Sequence, residues 1–330
     1  MVRGPENPRV GPYPTMNATL PKILAKGHAL DLAENSFGEL RRSADVSGDP
    51  AALRQRFAED GYLFLPGFFA REDVVEVRRG IAQGMAERGL LDPAHPVEDA
   101  VKREGASLTF LSDPRPAVDH MNNLSRANPA MRRLLYSGKI ISLFEGFFGE
   151  SVRHFDFTWV RTMGPGFGTD PHCDNVYMSR GSPRLCTAWV PYGDISYEIG
   201  GLMILEGSHR QAERLRNYLN RDVDHYCENR PEAAKIKSGE IPWKWGGVLS
   251  NNPYSLRQHL GGRWLSAEYR MGDLLIFGMT TVHASLDNQT RYFRFSTDTR
   301  YQPASEPIDE RWIGENPIGH GAAAKRGMIC

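Results

Sequence analysis

The 330-residue chain has no excess of charge, because 40 Lys and Arg residues balance 40 Asp and Glu residues. It contains no dense Lys/Arg run, which argues against a nucleic-acid surface. No apolar window reaches the length of a membrane span, and the opening residues lack the apolar segment of a secretory leader. The final residues, AKRGMIC, do not form a prenylation box. We therefore expect a cytoplasmic protein with no nucleic-acid or membrane partner; its oligomeric state is left open.

Cysteine is also scarce. Cys173, Cys186, Cys227 and Cys330 show neither C-x-x-C spacing nor the density of a disulfide framework. The simplest interpretation is four reduced thiols, in keeping with a cytoplasmic location.

The chain is long enough for one large domain with a sizeable core. Residues 1–48 are rich in Pro, Gly and Asn, which predicts an irregular N-terminal arm with one short helix at most. Residues 49–330 are predicted to form a single domain. Its first part is helical: Asp49 and Pro50 open a helix that Gly61 ends, a buried strand YLFLPGFF follows, and periodic apolar residues predict helices from 74 to 85 and from 129 to 144.

From about residue 152 the apolar pattern changes to short strands separated by turn residues. The segments HFDFTWV, RLCTAWVPY, GLMILEGS, GDLLIFG, TTVHASL and RYFRFSTDTRYQ predict an antiparallel sandwich or barrel behind the helices. Residues 210–268 interrupt this rhythm with polar sequence containing WKWGG. An insertion of that length is either a lid-like element over a site or a surface ornament.

The final strands predict a site. If Asn288 and Gln289 form a two-residue turn, His283 faces Arg294 across a hairpin. Phe293 and Phe295 then lie on one face of the returning strand and can pack against the helices. The opposite face is polar and must line a wet cavity or carry ion pairs, since a buried unpaired charge is costly; its residues are Arg294, Ser296, Asp298 and Arg300.

His172 and Asp174, at i and i+2 of a predicted strand, share a face with Cys173 pointing away. Together with His283 they supply two imidazoles and one carboxylate from separate segments. This is the donor set of the facial triad that binds non-haem iron(II) and leaves positions open.

These motifs resemble the phytanoyl-CoA dioxygenase-like (PhyH) family of iron(II)/2-oxoglutarate oxygenases, over about residues 53–303. The resemblance rests on FAEDGYLFLPGFFAREDVVEVR, HCD, GGLMILEGSHR, GDLLIF and VHASLDNQTRYFRFSTDTRYQP. It implies a mostly β fold with flanking helices: a double-stranded β-helix (jelly-roll, cupin-like) core packed against N-terminal helices. Glu206 departs from the family, in which a proline usually precedes G-S-H.

The resemblance also implies the cofactors iron(II), 2-oxoglutarate and O2. Arginine rather than lysine suits the far carboxylate of 2-oxoglutarate, because its planar fork binds carboxylates through two hydrogen bonds. The metal centre then carries the oxidation, and no separate acid or base is assigned. The implied residues are His172, Asp174 and His283 for the metal, and Arg294, Ser285 and Trp189 for 2-oxoglutarate, with an ion pair to Asp298 as the alternative for Arg294 and core packing as the alternative for Trp189. Separately from the resemblance, Asn175, Tyr177 and Arg300 are candidate substrate contacts, with loop structure as the alternative for the first two and pairing with Asp298 as the favoured role for Arg300. His209 is assigned to loop anchoring.

The expected reaction is oxidation, in most cases hydroxylation, of an unactivated C–H bond in a small metabolite or biosynthetic intermediate, releasing succinate and CO2. Desaturation and cyclisation stay open. Two rivals also stay open: a zinc-dependent hydrolase that uses the same triad, and a barrel that binds a small ligand without chemistry.

Overall fold

The computed structural model describes residues 22–108, 114–241 and 246–330, and for residues 114–119 it describes the backbone alone. Its strands are β1 (Leu24–Ala25), β2 (His28–Ala29), β3 (Phe37–Glu39), β4 (Tyr62–Leu65), β5 (Val152–His154), β6 (Trp159–Met163), β7 (Cys186–Pro191), β8 (Leu202–Leu205), β9 (His225–Cys227), β10 (Trp264–Ser266), β11 (Leu274–Gly278), β12 (His283–Ser285), β13 (Arg294–Pro303) and β14 (Arg326–Met328). Its α-helices are α1 (Pro50–Asp60), α2 (Arg71–Glu87), α3 (Pro114–Arg126), α4 (Pro129–Tyr136), α5 (Lys139–Phe148), α6 (Asn175–Met178), α7 (Arg216–Leu219), α8 (Ala233–Ser238) and α9 (Pro253–Leu260).

Two sheets form the core. The larger has the order β4-β11-β7-β13-β5, with β6 also paired to β13, and the smaller has the order β12-β8-β10-β3. Side chains from both sheets share one buried cluster, in which Trp189 and Phe277 of the larger sheet meet Ile204 and Leu265 of the smaller. The predicted fold class, a jelly-roll-like β core with flanking helices, is confirmed.

The N-terminal helices α1–α5 cover the outer face of the larger sheet. Phe293 and Phe295 pack in a large apolar cluster with Val77 and Ile81 of α2 and Phe144 of α5, as the alternation along β13 predicted. The first helix begins and ends where its signals lie: the Asp49 carboxylate accepts hydrogen bonds from the first-turn amides, and Gly61 adopts a left-handed conformation with φ of 77°. The polar face of β13 therefore points between the two sheets.

Two local predictions were wrong. The helix expected over 129–144 is interrupted, because Ser137 is extended and Gly138 has φ of 63°, so α4 and α5 are separate helices. Part of the arm expected to be irregular is regular, since β3 adds a parallel strand to β10 at the edge of the smaller sheet. A strand of three residues is too short to show an alternating apolar pattern, and β3 forms only because it pairs with a distant strand. The division at residue 48 stays a prediction.

The region expected to be an insertion is partly core. Its last strand, β10, pairs with both β8 and β3, so residues 264–266 belong to the smaller sheet. The preceding segment contacts the loop around residue 172: the Leu249 amide donates to Pro171 O (2.9 Å), and the Tyr218 hydroxyl accepts from the Cys173 amide (3.0 Å). Most of WKWGG, residues 243–245, lies outside the described residues, and the lid role stays a prediction.

The expectation of four reduced cysteines was wrong. Cys227 and Cys330 form a disulfide beside the parallel pairing of β9 with β14. The two cysteines are 103 residues apart, so only the fold brings them together. Cys173 and Cys186 are free and buried. Among the described helices none has the length and apolar character to cross a membrane, and the cytoplasmic location stays a prediction.

Candidate metal centre

His172 and His283 meet through their backbones. Each donates its amide to the carbonyl of the other at 3.0 Å, in an isolated antiparallel bridge. The expectation that His172 and Asp174 lie on one strand was wrong, because Asp174 has already turned into helical conformation as the N-cap of α6. The bend, rather than a two-residue strand repeat, brings the carboxylate back towards the imidazole.

The structure brings the three side chains together. One ligand atom from each of His172, Asp174 and His283 lies within 4.8 Å of the others. Oδ1 of Asp174 is 3.9 Å from Nε2 of His172 and 3.8 Å from Nε2 of His283. Asp174 and His283 are buried and His172 is half-buried, so the three donors converge at an enclosed point.

Hydrogen bonds fix which nitrogen of each imidazole is free. Nδ1 of His172 is 2.6 Å from Asp170 O, and Nδ1 of His283 is 3.0 Å from Thr281 O. A carbonyl only accepts, so each Nδ1 carries the proton and each Nε2 presents its lone pair. Burial also favours the neutral rings: it lowers the pKa of His172 to about 3 and lowers the pKa of His283. Neutral imidazoles are the form that binds metal.

The two carboxylate oxygens of Asp174 contact different groups. Oδ2 accepts hydrogen bonds from the Thr187 hydroxyl and from Nη2 of Arg300 at 3.0 Å, while Oδ1 faces the imidazoles. Burial alone would raise the pKa of Asp174, but the Arg300 charge and the Thr187 hydrogen bond help to hold it well below its usual value. The carboxylate is thus ionised and aimed with one oxygen towards the triad.

Arg300 is not paired with Asp298, as one reading of the sequence expected. Asp298 instead accepts from Nε of Arg161 at 2.7 Å. Arg300 is 2% exposed, and its guanidinium lies 4.2 Å from the centre of the Trp159 ring. Its Nε and Nη1 have no hydrogen-bond partner among the described residues. Its contact is therefore with the triad carboxylate.

The hairpin predicted to join His283 to Arg294 was wrong. β12 pairs with β8 in the smaller sheet, whereas β13 pairs with β6 and β7 in the larger. The chain crosses from one sheet to the other between them, and in this crossing the Asn288 side-chain amide donates to Tyr292 O at 2.6 Å and to Met163 O at 3.0 Å. Gly200 is required beside the crossing, because a Cβ there would lie 2.6 Å from Leu286 O.

Arg294 nevertheless points into the space between the sheets. It is 3% exposed, and Nη1 donates to Gly200 O at 2.6 Å. Its Nε has no partner, and the Ser296 hydroxyl, on the same face of β13, has none either within the described residues. Burial lowers the pKa of Arg294 to about 10, so it stays cationic at neutral pH. Buried donors without acceptors are expensive and often mark a ligand site.

The other two residues assigned to 2-oxoglutarate lie on the same interior faces. Trp189 is buried between Tyr269, at 4.6 Å between ring centres, and the guanidinium of Arg294 at 6.0 Å. Ser285 lies two residues after His283 on β12, and its Oγ accepts from the Thr169 amide at 2.9 Å. Ser285 therefore also holds the loop that leads to His172.

The residues assigned to substrate take up different positions. The Asn175 amide donates to Leu219 O at 2.6 Å, which ties α6 to α7. The ring of Tyr177 meets His172 edge-on at 5.5 Å between ring centres, and its hydroxyl donates to Gly246 O at 2.7 Å. Tyr177 thus borders the triad, whereas the Asn175 amide is used within the fold. His209 lies 3.2 Å from Ala58 O, the contact expected of a loop anchor.

Sequence reasoning missed Thr187 and Arg161. Thr187 lies two residues before Trp189 on β7 and so shares its face, and it is paired with Arg300 across the sheet. Arg161 lies opposite Ser296. Strand alternation indicates which face each occupies, but only the strand pairing shows which partners they meet.

Comparison with known proteins identifies a family and individual relatives that this chain resembles. Residues 57–296 match the family described as Phytanoyl-CoA dioxygenase (PhyH). The chain is 26% identical over 269 residues, 78% of its own length and 82% of the relative's, to a 1-deoxypentalenic acid 11-beta-hydroxylase of Streptomyces exfoliatus. It is 25% identical over 284 residues, 82% of its own length and 87% of the relative's, to the enzyme of that name from Streptomyces arenae.

Two solved structures resemble the fold. EctD from S. alaskensis, with 2-oxoglutarate and 5-hydroxyectoine, is 16% identical with a TM-score of 0.50, covering 96% of this chain and 98% of that one. The non-heme alpha ketoglutarate dependent carbocyclase SnoK from nogalamycin biosynthesis is also 16% identical with a TM-score of 0.50, covering 77% and 84%. At this identity the likeness supports the fold alone.

Proposed function

Because the chain belongs to the phytanoyl-CoA dioxygenase family, we propose that it is an iron(II)- and 2-oxoglutarate-dependent dioxygenase that hydroxylates an unactivated C–H bond of a small metabolite or biosynthetic intermediate. The observation that carries this proposal is the convergence of three donor atoms within 4.8 Å, with both imidazoles oriented through Nδ1. The family supports the enzyme class, and the geometry supports the choice of these three residues.

The donor set fits iron(II). His172, Asp174 and His283 offer two neutral imidazole nitrogens and one carboxylate oxygen, the combination typical of non-haem iron(II) oxygenases with open positions. The second oxygen of Asp174 is occupied by Thr187 and Arg300, which favours one-oxygen coordination. Outer hydrogen bonds of this kind orient ligands and tune affinity.

The surroundings fit 2-oxoglutarate. Its far carboxylate needs a cationic donor, and Arg294 has an unused Nε beside the unused hydroxyl of Ser296 in a dry environment. Arginine binds carboxylates through two parallel N–H donors, which fixes the orientation of the cosubstrate. Trp189 packs beside this guanidinium and excludes water from it.

The residues of the chain position and protect the reactants. Bound iron, with 2-oxoglutarate and O2, would supply the oxidising chemistry and release succinate and CO2. Arg294 holds the carboxylate end of the cosubstrate, and Asp174 keeps its charge towards the metal because Thr187 and Arg300 hold its other oxygen. Phe277 packs 4.4 Å from the His283 ring and keeps that side apolar. The protein therefore contributes orientation and exclusion of water.

For the substrate we propose an aliphatic carbon skeleton of modest size. Two relatives that align over most of the chain are named as hydroxylases of 1-deoxypentalenic acid, which favours hydroxylation of a small biosynthetic intermediate over desaturation or cyclisation. Their identity of about one quarter does not carry that compound over to this chain.

The test is anaerobic addition of iron(II) and 2-oxoglutarate to the purified protein. We expect a visible absorption band from the cosubstrate on the metal, lost in His172→Ala and Asp174→Ala and weakened in Arg294→Ala. Admission of O2 should then release succinate in amounts that depend on 2-oxoglutarate.

His259→Ala is a matched control, because His259 is exposed on α9, outside the triad; it should keep the band. A zinc hydrolase would need neither O2 nor 2-oxoglutarate, and a non-catalytic binding protein would release no succinate. An unweakened band in Arg294→Ala would remove Arg294 from the cosubstrate site.

A further inference from the structure

Arg161 occupies a distinctive place on the interior face of the larger sheet. It lies on β6, opposite Ser296 of β13, with Trp159 two residues before it on the same face. Trp159 covers Arg300, which holds the triad carboxylate, and Met163, two residues after Arg161, is paired with Arg294. Along β6, Arg161 thus lies between the residue that covers Arg300 and the residue paired with Arg294.

The exposure of Arg161 separates it from the other two interior arginines. Its side chain is 31% exposed, whereas Arg294 and Arg300 are 3% and 2% exposed. β6 is also an edge strand, since within the described ranges it pairs with β13 and with no second strand. Arg161 therefore lies where a molecule entering from solvent can reach it.

One nitrogen of Arg161 is held and the others are available. Nε donates to Oδ2 of Asp298 at 2.7 Å, which fixes the guanidinium to the larger sheet, and no hydrogen bond of Nη1 or Nη2 is seen among the described residues. Nη1 and Nη2 are therefore the donors that a ligand can use.

The charges of the site do not balance. Among the described residues, the charged side chains on the interior strand faces that are not exposed are Arg161, Arg294, Arg300 and Asp298, and together with Asp174 they leave one net positive charge. Iron(II) and the 2-oxoglutarate dianion cancel one another. A surplus charge in a poorly solvated site favours one more anion.

We propose that Arg161 anchors a carboxylate of the substrate, so that the enzyme acts on an aliphatic monocarboxylic acid and not on its neutral derivatives. This inference rests on the proposed function. It assigns to Arg161 the role of a specificity determinant: the two free nitrogens bind the substrate carboxylate at the mouth, and the aliphatic carbon skeleton then extends towards the triad. Asp298 positions the guanidinium through Nε and leaves Nη1 and Nη2 as the donors.

The experiment uses the anaerobic protein with iron(II) and 2-oxoglutarate, and probes it with cyclohexanecarboxylic and adamantane-1-carboxylic acids and their methyl esters. The acids should shift the absorption band at lower concentrations than the esters. In Arg161→Gln the concentration of acid needed should rise at least about tenfold, as expected when a carboxylate loses its charged hydrogen-bond partner, while the affinity for 2-oxoglutarate stays unchanged. Arg161→Lys should keep part of the acid preference.

Arg153→Gln is the matched control, because Arg153 is exposed on β5 and should behave as the unaltered protein. Three results would overturn the proposal: equal responses to acids and esters, no response to any acid, or a loss of 2-oxoglutarate affinity in Arg161→Gln, which would assign the arginine to the cosubstrate. Absence of the band in the unaltered protein would contradict the proposed function instead. Melting temperatures show whether each variant is folded.

Discussion

Two buried clusters of charge in this chain differ in how completely their hydrogen bonds are used. In the first, around Arg311, Nε and Nη2 donate to Asp309 and Nη1 donates to Asp222 and Asp224. Asp224 also accepts from His320 and Lys325. This cluster, which we call the C-terminal ion cluster, joins the segment after α7 to the C-terminal tail. Each nitrogen of its central arginine has an acceptor.

The second cluster, around the triad, is different. Arg300 uses Nη2 for Asp174, but its Nε and Nη1 have no acceptor, and neither do Nε of Arg294 and the hydroxyl of Ser296, among the described residues. Leaving such donors unsatisfied costs free energy that the fold does not recover by itself. Arg180, which also pairs with Asp222 through Nε, has a buried Nη2 without a partner among the described residues. The contrast is therefore between the central arginines: the saturated Arg311 serves stability, whereas Arg300 and Arg294 keep donors for ligands.

The largest effect that tests this contrast is expected when a triad imidazole is removed, because succinate release depends on it. His283→Ala should reduce succinate release to background, since two remaining donors do not make the facial set. The metal-free variant should stay folded, because a neutral side chain is lost and no charge is left unpaired. If purified His283→Ala keeps turnover, the triad is not the metal site; circular dichroism serves as the control for folding.

The second prediction concerns the opposite cluster. Arg311→Met keeps side-chain bulk but leaves three buried carboxylates without their shared cation, and breaking such a pair costs about 3–5 kcal/mol. We expect that loss in the free energy of unfolding measured in urea. The fraction that is folded should bind iron(II) and 2-oxoglutarate normally.

Arg133→Met is the matched control for that experiment, because Arg133 pairs with Glu76 on the surface, where both side chains are more than half exposed. Surface pairs contribute little, so this variant should unfold close to the unaltered protein. Equal losses in the two variants would mean that the C-terminal ion cluster is not a stabilising element.

A third, smaller effect is expected at Arg300. In Arg300→Met, Asp174 loses one of the two donors that orient it, and loss of an outer-shell partner typically lowers metal affinity by about 10–100-fold. The metal-free protein should also be less stable, and added iron(II) should restore part of that stability because it binds the native state alone. Melting temperatures with and without metal measure both effects. An unchanged iron(II) affinity would contradict the orienting role.

The sequence predicts most of this fold and much of the site because the relevant signals are local. Asp49 with Pro50 and Gly61 mark the ends of α1, and the alternation of Phe293 and Phe295 with polar residues assigns the faces of β13. The donors His172 and Asp174 lie two residues apart, so their proximity needs no knowledge of topology.

What the sequence does not predict depends on pairing at long range. The segment between His283 and Arg294, predicted as a hairpin, is a crossing between two sheets. Its turn-prone residues suit a two-residue turn and a crossing equally, so the local sequence does not distinguish them. Arg300 meets Asp174, 126 residues away, and no periodicity encodes that contact. The disulfide of Cys227 with Cys330, 103 residues apart, has the same origin, since it lies beside the long-range pairing of β9 with β14.

The smallest expected effect concerns the C-terminal ion cluster, and it is a change in how the free energy of unfolding depends on pH. Burial raises the pKa of Asp224, but hydrogen bonds and charges of His320 and Lys325 outweigh it and hold the pKa below the usual 3.8; the pKa of Asp222 is lowered too. As pH falls, the unfolded chain takes up protons first, so the stabilisation present above about pH 4 is lost towards the lower native pKa.

Asp224→Asn should therefore make the free energy of unfolding fall less steeply between about pH 5 and 3. The slope should decrease by up to about 1.4 kcal/mol per pH unit. The exposed Asp99→Asn should keep the slope of the unaltered protein, and an equal slope in Asp224→Asn would show that this carboxylate is not held ionised by its neighbours.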